Sequence, residues 1–360
     1  MKNPYVALGE DAFWKHAVAS NSPFSMGGLW KPKYPVTQDM KIVTAGSCFA
    51  QHIGRALAAR GYTWFDAEPA PPFLKPDEAR TYNYGIFSFR TGNIYTTRML
   101  RQWLEQAHGR AAPMMEAWDD GKGRVFDPMR PAIEPEGFAS HEEFVQAREV
   151  TYGALRRAVQ EAGVFIFTLG LTESWANAET GQEYASCPGT AAGTYDPGKH
   201  VFVNHRVDAI AADLEAALTV LHEENPALKV LLTVSPVPLT ATASGQHVLT
   251  ATTYSKSVLR TVAGMAAQDH EWVDYFPSFE IISTPPFHGM FFEPNKRSVN
   301  PHGVDFVMKN FFADQEAAFG KVVTQPASPP KGGRKAGRKK PGAARNMDVK
   351  CEEEMLNAFG

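Results

Sequence analysis

A serine and a cysteine stand side by side near the start of the chain, in the turn Gly46-Ser47-Cys48. The turn follows an apolar run that reads as a strand and precedes a segment with helical spacing. Unpaired amide groups and the helix dipole at such a position favour a thiolate, an alkoxide or an oxyanion. Small residues are also common wherever a strand packs against a helix. The turn is therefore a candidate nucleophile site for ester or acyl-transfer chemistry, with either side chain as the attacking group.

Polar residues also follow the later predicted strands. In an open α/β sheet, ligands bind outside the carboxyl ends of the strands, so these positions are further site candidates. Glu173 follows the second strand, and it would act as a base only with a raised pKa. Three aromatic residues, Trp175, Trp103 and Tyr95, are candidates for a sugar-stacking wall, although large aromatic side chains more often belong to the core.

The elements that position these residues follow one repeated pattern of an apolar run, a turn and a helical segment. This pattern predicts a doubly wound α/β fold with a mostly parallel sheet and three layers. Buried parallel strands read as continuous apolar runs. The predicted strands are 41–45, 164–169, 229–234 and 272–275. The predicted helices are 49–60, one around 99–107, one opening at Ser140, one through 207–221 and one over 254–267.

We expect residues 1–323 to form one α/β domain with an insertion at 62–135. The insertion, rich in proline and aromatic residues, is either a lid or substrate platform, or a padded loop system. Residues 324–347, rich in Pro, Gly, Lys and Arg, are predicted to be a disordered linker. Residues 348–360 form a short amphipathic stretch. The tail is a candidate for docking a protein or an anionic polymer, and the alternative is a frayed terminus.

Composition limits the function classes. The net charge of −3 gives no overall field for nucleic acid, and 44% hydrophobic residues are enough for a core. No apolar run is long enough to span a membrane, and the first residues lack a signal-peptide pattern, so a cytoplasmic protein is expected. The 3 cysteines form no CxxC pair. No nucleotide fingerprint or metal-ligand spacing is visible, so no cofactor and no metal is expected.

The run 44–50, Thr-Ala-Gly-Ser-Cys-Phe-Ala, resembles the signature after which the GSCFA family is named. The similarity continues through 83–87, 168–175, 233–237, 254–257 and 275–280, and it covers about residues 35–310. The family is similar to a branch of the SGNH, or GDSL-like, hydrolase superfamily. This resemblance implies a flavodoxin-like three-layer sheet and hydrolysis or transfer of an ester-linked acyl group.

The resemblance also implies roles for individual residues. The superfamily nucleophile stands two residues after its glycine, which places Cys48 at the nucleophile, with Ser47 as the competitor one residue away. Oxyanion donors are expected at Gly85 and at Thr172, which stands where the superfamily has Asn. Asn83, in the same segment as Gly85, is expected to contact the oxyanion or the substrate. Trp175 follows in the same block and is expected beside the substrate.

The expected base is missing. Superfamily members carry Asp-x-x-His before the last helix, whereas this chain has 297–301, Arg-Ser-Val-Asn-Pro. Asparagine cannot accept a proton at neutral pH, so another group must serve. His302, His288 and His205 are the candidate histidines, and Glu173 is the carboxylate alternative.

From sequence, we expect an SGNH-like esterase or acyltransferase that forms a Cys or Ser acyl intermediate on a small-molecule or carbohydrate ester. The rival interpretation is a catalytically silent protein that binds a glycan or a protein partner through the same cleft. The missing Asp-x-x-His is the main support for the rival.

Overall fold

The computed structural model describes residues 3–320 and 352–359. The strands are β1 (Ile42–Gly46), β2 (Trp118–Asp119), β3 (Val125–Phe126), β4 (Val164–Leu169), β5 (Glu173–Asn177), β6 (Glu183–Tyr184), β7 (His200–Asn204), β8 (Lys229–Val234) and β9 (Val273–Tyr275). The α-helices are α1 (Phe49–Ala59), α2 (Pro76–Thr81), α3 (Thr97–Ala107), α4 (His141–Glu161), α5 (Val207–Glu224), α6 (Val248–Asp269), α7 (Ser278–Ser283) and α8 (Pro301–Phe319).

The central sheet has four parallel strands in the order β1-β4-β8-β9. Its side chains alternate between two cores. One core contains residues of α3, α4, α5 and α6, and the other contains residues of α1, α7 and α8. Because both faces are covered, the strands are buried and mostly apolar, with Lys229 and Asp274 as charged exceptions, and this apolar character is why the sequence revealed them. The predicted α/β class with helices on both faces is confirmed.

The order of the strands reverses at β1. Trp64 makes a parallel bridge to Ile42 on one side of β1, and β4 pairs with the other side. The chain therefore adds its next extended segment on one side and then crosses over to build the rest of the sheet on the other. A crevice opens at such a point beyond the carboxyl ends of the strands, and it is the usual ligand site of this architecture.

The insertion predicted at 62–135 is packed into the core. It holds α2, α3 and the β2-β3 hairpin, and Trp103 of α3 lies 5.7 Å from the Tyr152 ring of α4. Asp127 is buried and accepts a 2.7 Å hydrogen bond from Arg130 Nε, and the Arg148 guanidinium of α4 pairs with the same carboxylate. Burial opposes ionisation of Asp127, but the two guanidinium charges hold its pKa below the usual value. The buried ion network ties the insertion to α4.

A second insertion, not predicted, lies between β4 and α5. The strands β6, β5 and β7 form an antiparallel sheet with the register Glu173↔Asn204 and Trp175↔Tyr184. From sequence alone, the segment from Gly170 to Trp175 reads as the connection that follows a core strand. The structure corrects this, because the chain turns within that segment and begins a new strand at Glu173.

The predicted linker 324–347 lies outside the described residues. Of the predicted amphipathic segment 348–360, residues Glu352–Phe359 are described and form a 3₁₀ helix of 8 residues. We call this the C-terminal segment. Its first residue, Glu352, is only 3% exposed, so the segment contacts the folded domain. Within the described ranges, no helix has the length and apolarity to cross a membrane.

Candidate functional site

The Gly46-Ser47-Cys48 turn lies at the carboxyl end of β1, beside β4. Gly46 has φ +124°, and a Cβ at this position would lie 2.3 Å from the Thr168 backbone oxygen. Only glycine fits such an approach. The Ser47 amide donates to the same Thr168 oxygen at 3.0 Å, and α1 begins two residues later at Phe49. The turn is thereby locked onto the neighbouring strand.

The two candidate nucleophiles have different environments. Ser47 is 2% exposed, and its Oγ finds no hydrogen-bond partner among the described residues. Cys48 is half-buried at the N-cap position of α1 and packs against the apolar cluster of Tyr95, Leu171, Leu239 and Ala251. Of the two side chains, the thiol is the more accessible to a ligand.

The segment Gly92 to Tyr95 passes through the crevice between β1 and β4. The Ile94 amide donates to the Gly46 oxygen at 2.8 Å, and the Tyr95 oxygen accepts from the Gly170 and Leu171 amides at 3.1 and 2.9 Å. These bonds fix the backbone across the ends of both strands. Asn93 and Tyr95 are thereby held next to the nucleophile turn.

Asn93 and Tyr95 converge on one oxygen atom. The Asn93 Nδ2 and the Tyr95 hydroxyl both donate to Oε2 of Glu352, at 2.7 and 2.9 Å. The sequence analysis did not assign Asn93, and it considered Tyr95 only as an aromatic surface. The pair Gly92-Asn93, a typical turn sequence, was the available signal.

Gly85 and Asn83, the predicted oxyanion and substrate residues, lie in the turn that follows α2. Gly85 is exposed, with no atom within 4 Å of a Cβ built on it. The Asn83 side chain is buried, and its Nδ2 donates to the Ala132 oxygen at 3.0 Å. Within the described part of the chain, it is the Gly92–Tyr95 segment, and not this turn, that lies across the strand ends.

Thr172 and Glu173 follow β4 with different orientations. Thr172 is fully buried, and its hydroxyl donates to Oδ1 of Asn204 at 2.8 Å. Glu173 lines a cleft between the antiparallel sheet and the C-terminal segment. Its carboxylate accepts a hydrogen bond from the Thr242 hydroxyl at 2.8 Å. Burial raises the pKa of Glu173, and the nearby charge of Glu353 raises it further. Glu173 is the predicted acid-base candidate whose side chain reaches the cleft.

His205 lies behind the cleft, and it is only 3% exposed. Its Nε2 contacts Oε1 of Glu183, a carboxylate that lines the cleft and also accepts from the Ser174 hydroxyl at 2.8 Å and from the Thr96 hydroxyl. The structure therefore joins His205 to the site through Glu183. Because Glu183 is 22 residues away on another strand, the sequence did not indicate this partner.

His288 and His302 do not line the cleft. His288 is exposed at φ +50°, and His302 is exposed in the first turn of α8, beside a separate shallow pocket. Asn300, in the stretch where the superfamily carries its Asp-x-x-His, caps α8 by accepting from the Gly303 amide at 2.9 Å. This stretch has a structural role at the helix start.

The cleft encloses a cavity of about 630 Å³ between the antiparallel sheet and the C-terminal segment. Trp175 lines it and packs edge-to-face against Tyr195 and Phe202, with ring centroids 5.4 and 5.7 Å away. Cys187 is a thiol on the wall, and burial raises its pKa to about 11. Cys48 is not among the lining residues, and it packs against the cluster whose members Tyr95 and Leu171 line the cavity. Trp103, by contrast, is fully buried in the main core and does not contribute to an aromatic wall.

No metal centre is formed within residues 3–320 and 352–359, where no three His, Cys, Asp or Glu side chains come together as ligands.

The comparisons with known proteins agree with the resemblance of residues 44–50 to the family signature. The model of the GSCFA family matches residues 41–311, which include β1, the crevice segment, both insertions and the start of α8. No curated protein and no solved structure matched the chain. Because the matched region is most of the chain, this protein belongs to the GSCFA family.

Proposed function

We propose that this protein hydrolyses or transfers an ester-linked acyl group in the crevice beyond β1 and β4. The observation that carries the proposal is the convergence of the Asn93 amide and the Tyr95 hydroxyl on a single carboxylate oxygen, at 2.7 and 2.9 Å. A tetrahedral intermediate places negative charge on one oxygen and needs preorganised donors at this distance. The carboxylate of Glu352 marks the position that this oxygen would take.

Cys48 is the proposed nucleophile. It lies at the start of α1, where unpaired amide groups favour negative charge on sulfur, and it is more accessible than Ser47. The thiolate attacks the carbonyl carbon, the carbonyl electron pair moves to oxygen, and Asn93 and Tyr95 stabilise it. Collapse of the intermediate expels the alcohol and leaves a thioester on Cys48. Water or an acceptor hydroxyl then releases the acyl group.

Glu173 is the proposed acid-base group. Its carboxyl lines the cleft, and burial raises its pKa toward the range in which it can give a proton to the leaving alkoxide and later take one from water. His205 acts behind Glu183 as a positioning group, because it contacts the carboxylate and does not itself line the cleft.

The proposed substrate is an acylated small molecule or carbohydrate. Trp175 and Tyr195 present aromatic surface to a cavity of about 630 Å³, within the size range of ligand pockets. Aromatic faces pack well against the apolar face of a sugar ring. The carboxylates on the wall, Glu173 and Glu183, can accept hydrogen bonds from its hydroxyl groups.

A second candidate function is binding without catalysis. It is favoured by Asn300, which caps α8 in the stretch where the superfamily carries its catalytic Asp-x-x-His. In that case the cleft holds a glycan or a protein segment, and Cys48 serves only in packing.

The test measures hydrolysis of a chromogenic acetyl ester together with the intact mass of the protein. An acetyl group that replaces a thiol hydrogen adds about 42 Da to the mass of the protein. We expect Cys48→Ala to abolish both turnover and this acyl adduct. Asn93→Ala should lower kcat by about 10²–10³-fold, as expected for loss of one oxyanion donor.

Cys187→Ala is the control for loss of a thiol, because Cys187 is partly buried like Cys48 but lies on the cleft wall and not at the start of α1. Its activity should equal that of the unmodified chain. Activity that survives in the Ser47→Ala, Cys48→Ala double variant would refute the mechanism. Absence of both turnover and adduct in the unmodified chain and in the Glu352→Arg, Glu353→Arg variant, in which Glu352 no longer occupies the oxyanion donors, would favour the binding function.

A further inference from the structure

The C-terminal segment Glu352–Phe359 covers the candidate site. Glu352, Glu353 and Leu356 are among the residues that wall the cavity, opposite Trp175. We propose that the cleft contains a binding site for two adjacent carboxylates, and that the chain's own C-terminal segment is its ligand and excludes other acids and esters from the site. The proposal concerns binding and does not depend on the proposed catalysis.

We call the set of groups that holds one carboxylate a seat. The first seat, which holds Glu352, is formed by the segment from Gly92 to Tyr95. Glu352 is 3% exposed, and its Oε2 accepts from both Asn93 Nδ2 and the Tyr95 hydroxyl. Gly92 passes beneath the carboxylate, since a Cβ built on it would lie 3.5 Å from Glu352 Oε1. A carboxylate is buried only where hydrogen bonds replace its water shell. Two donors on one oxygen provide that replacement.

The second seat lies at the rim of the cleft. The Thr240 amide donates to Glu353 Oε1 at 2.9 Å, and Arg297 Nη2 pairs with Glu353 Oε2 at 2.9 Å. Arg297 is itself oriented by a 3.1 Å hydrogen bond from its Nε to the Pro238 oxygen. A backbone amide and a fixed guanidinium together favour a carboxylate over a neutral group.

Buried positive charge strengthens this preference. The side chain of Arg297 is only 13% exposed, and Lys256 is 3% exposed with its Nζ donating to the Gly170 oxygen at 2.7 Å. Burial raises the pKa of Glu353, and the charges of Arg297 and Lys256 oppose that rise. Two largely desolvated cations on one side of a cleft attract an anion there. The adjacent residues Glu352 and Glu353 match the two seats in spacing and charge.

The remainder of the segment is held less firmly. Glu354 is exposed and reaches Arg297 at 3.3 Å, and Phe359 is 70% exposed although it borders the cavity. The anchor is therefore the pair of carboxylates at the start of the segment. Because the segment is part of the same chain, it competes at a high effective concentration with any free ligand.

The test uses the full chain and a fluorescein-labelled peptide with the sequence of Glu352–Phe359. In the unmodified chain the site is occupied, so we expect weak binding of the peptide. The charge-reversal variant Glu352→Arg, Glu353→Arg should release the segment and bind the peptide at least tenfold more tightly, as measured by fluorescence anisotropy. A peptide with arginine at both positions is the control and should not bind.

A second variant locates the binding site. Adding Asn93→Ala to the charge-reversal variant should weaken peptide binding by tenfold or more, and circular dichroism should show that the fold is retained. Equal binding to the unmodified and charge-reversal chains, no binding to either, or binding unchanged by Asn93→Ala would each overturn the proposal. Because the readout is binding, a charge-reversal variant that passes this test and yet shows no turnover would refute only the proposed catalysis.

Discussion

Replacing Gly46 with alanine tests whether the nucleophile turn is held by close contact between β1 and β4. The added Cβ would lie 2.3 Å from the Thr168 oxygen and 2.7 Å from its nitrogen, so the strands must separate. Overpacking of this kind costs roughly 1–3 kcal/mol. A non-glycine residue at positive φ costs roughly 1–3 kcal/mol, and loss of the bond from the Ser47 amide costs about 0.5–1.5 kcal/mol. We expect these costs to add to a loss of about 2.5–7.5 kcal/mol in the free energy of unfolding.

Gly85→Ala separates the backbone contribution from the packing contribution. Gly85 also has positive φ, +66°, but no atom lies within 4 Å of its built Cβ. The control should therefore lose only the backbone contribution, roughly 1–2 kcal/mol. For roughly 320 folded residues, 1 kcal/mol corresponds to a shift of about 1.5 °C in the melting midpoint.

The assay is thermal unfolding followed by circular dichroism. Gly46→Ala should lower the melting midpoint by about 4–11 °C and Gly85→Ala by about 1.5–3 °C. Equal shifts in the two variants would show that contact with Thr168 does not hold the turn, and would refute the argument.

Two further predictions follow from buried carboxylates. Burial raises the pKa of Glu352 in the docked segment, so docking takes up protons and the labelled peptide should bind the charge-reversal variant more tightly as pH falls from about 7 toward the ordinary glutamate value of 4.5. The affinity for the peptide should therefore be lower at any pH above the raised pKa of Glu352. Weaker binding at lower pH would contradict the burial of the Glu352 carboxylate. Asp127→Asn leaves the Arg130 and Arg148 guanidiniums without their shared charge, so urea unfolding should show a loss of about 3–5 kcal/mol. The exposed control Asp119→Asn should change stability by less than about 1 kcal/mol, and equal effects would show that the ion network does not stabilise the insertion.

The central sheet was predictable because its strands are buried on both faces. Val164–Leu169 and Lys229–Val234 are continuous apolar runs, and the observed strands have the predicted bounds. The antiparallel sheet was not predictable in the same way. Its strands are short and partly exposed, and β5 contains Glu173, Ser174 and Asn177, which are typical of a loop.

The position of the candidate site in the fold was easier to predict from the sequence than the residues that surround it. The turn at Cys48 follows from the rule that ligands bind at strand ends, and the structure places it at the point where strand order reverses. Asn93 and the carboxylate that it binds are separated by 259 residues. Their proximity depends on tertiary packing, for which a single sequence gives no local signal.

The C-terminal segment also sets an order of events during synthesis. The cleft is built from residues up to Arg297, and Glu352 is made 55 positions later. At about 5–20 residues per second, the carboxylates that cover the crevice emerge roughly 3–11 s after the last residue that holds them. Newly made chains therefore pass through a brief interval in which the seats around Asn93 and Arg297 are open to any acid in the surrounding solution.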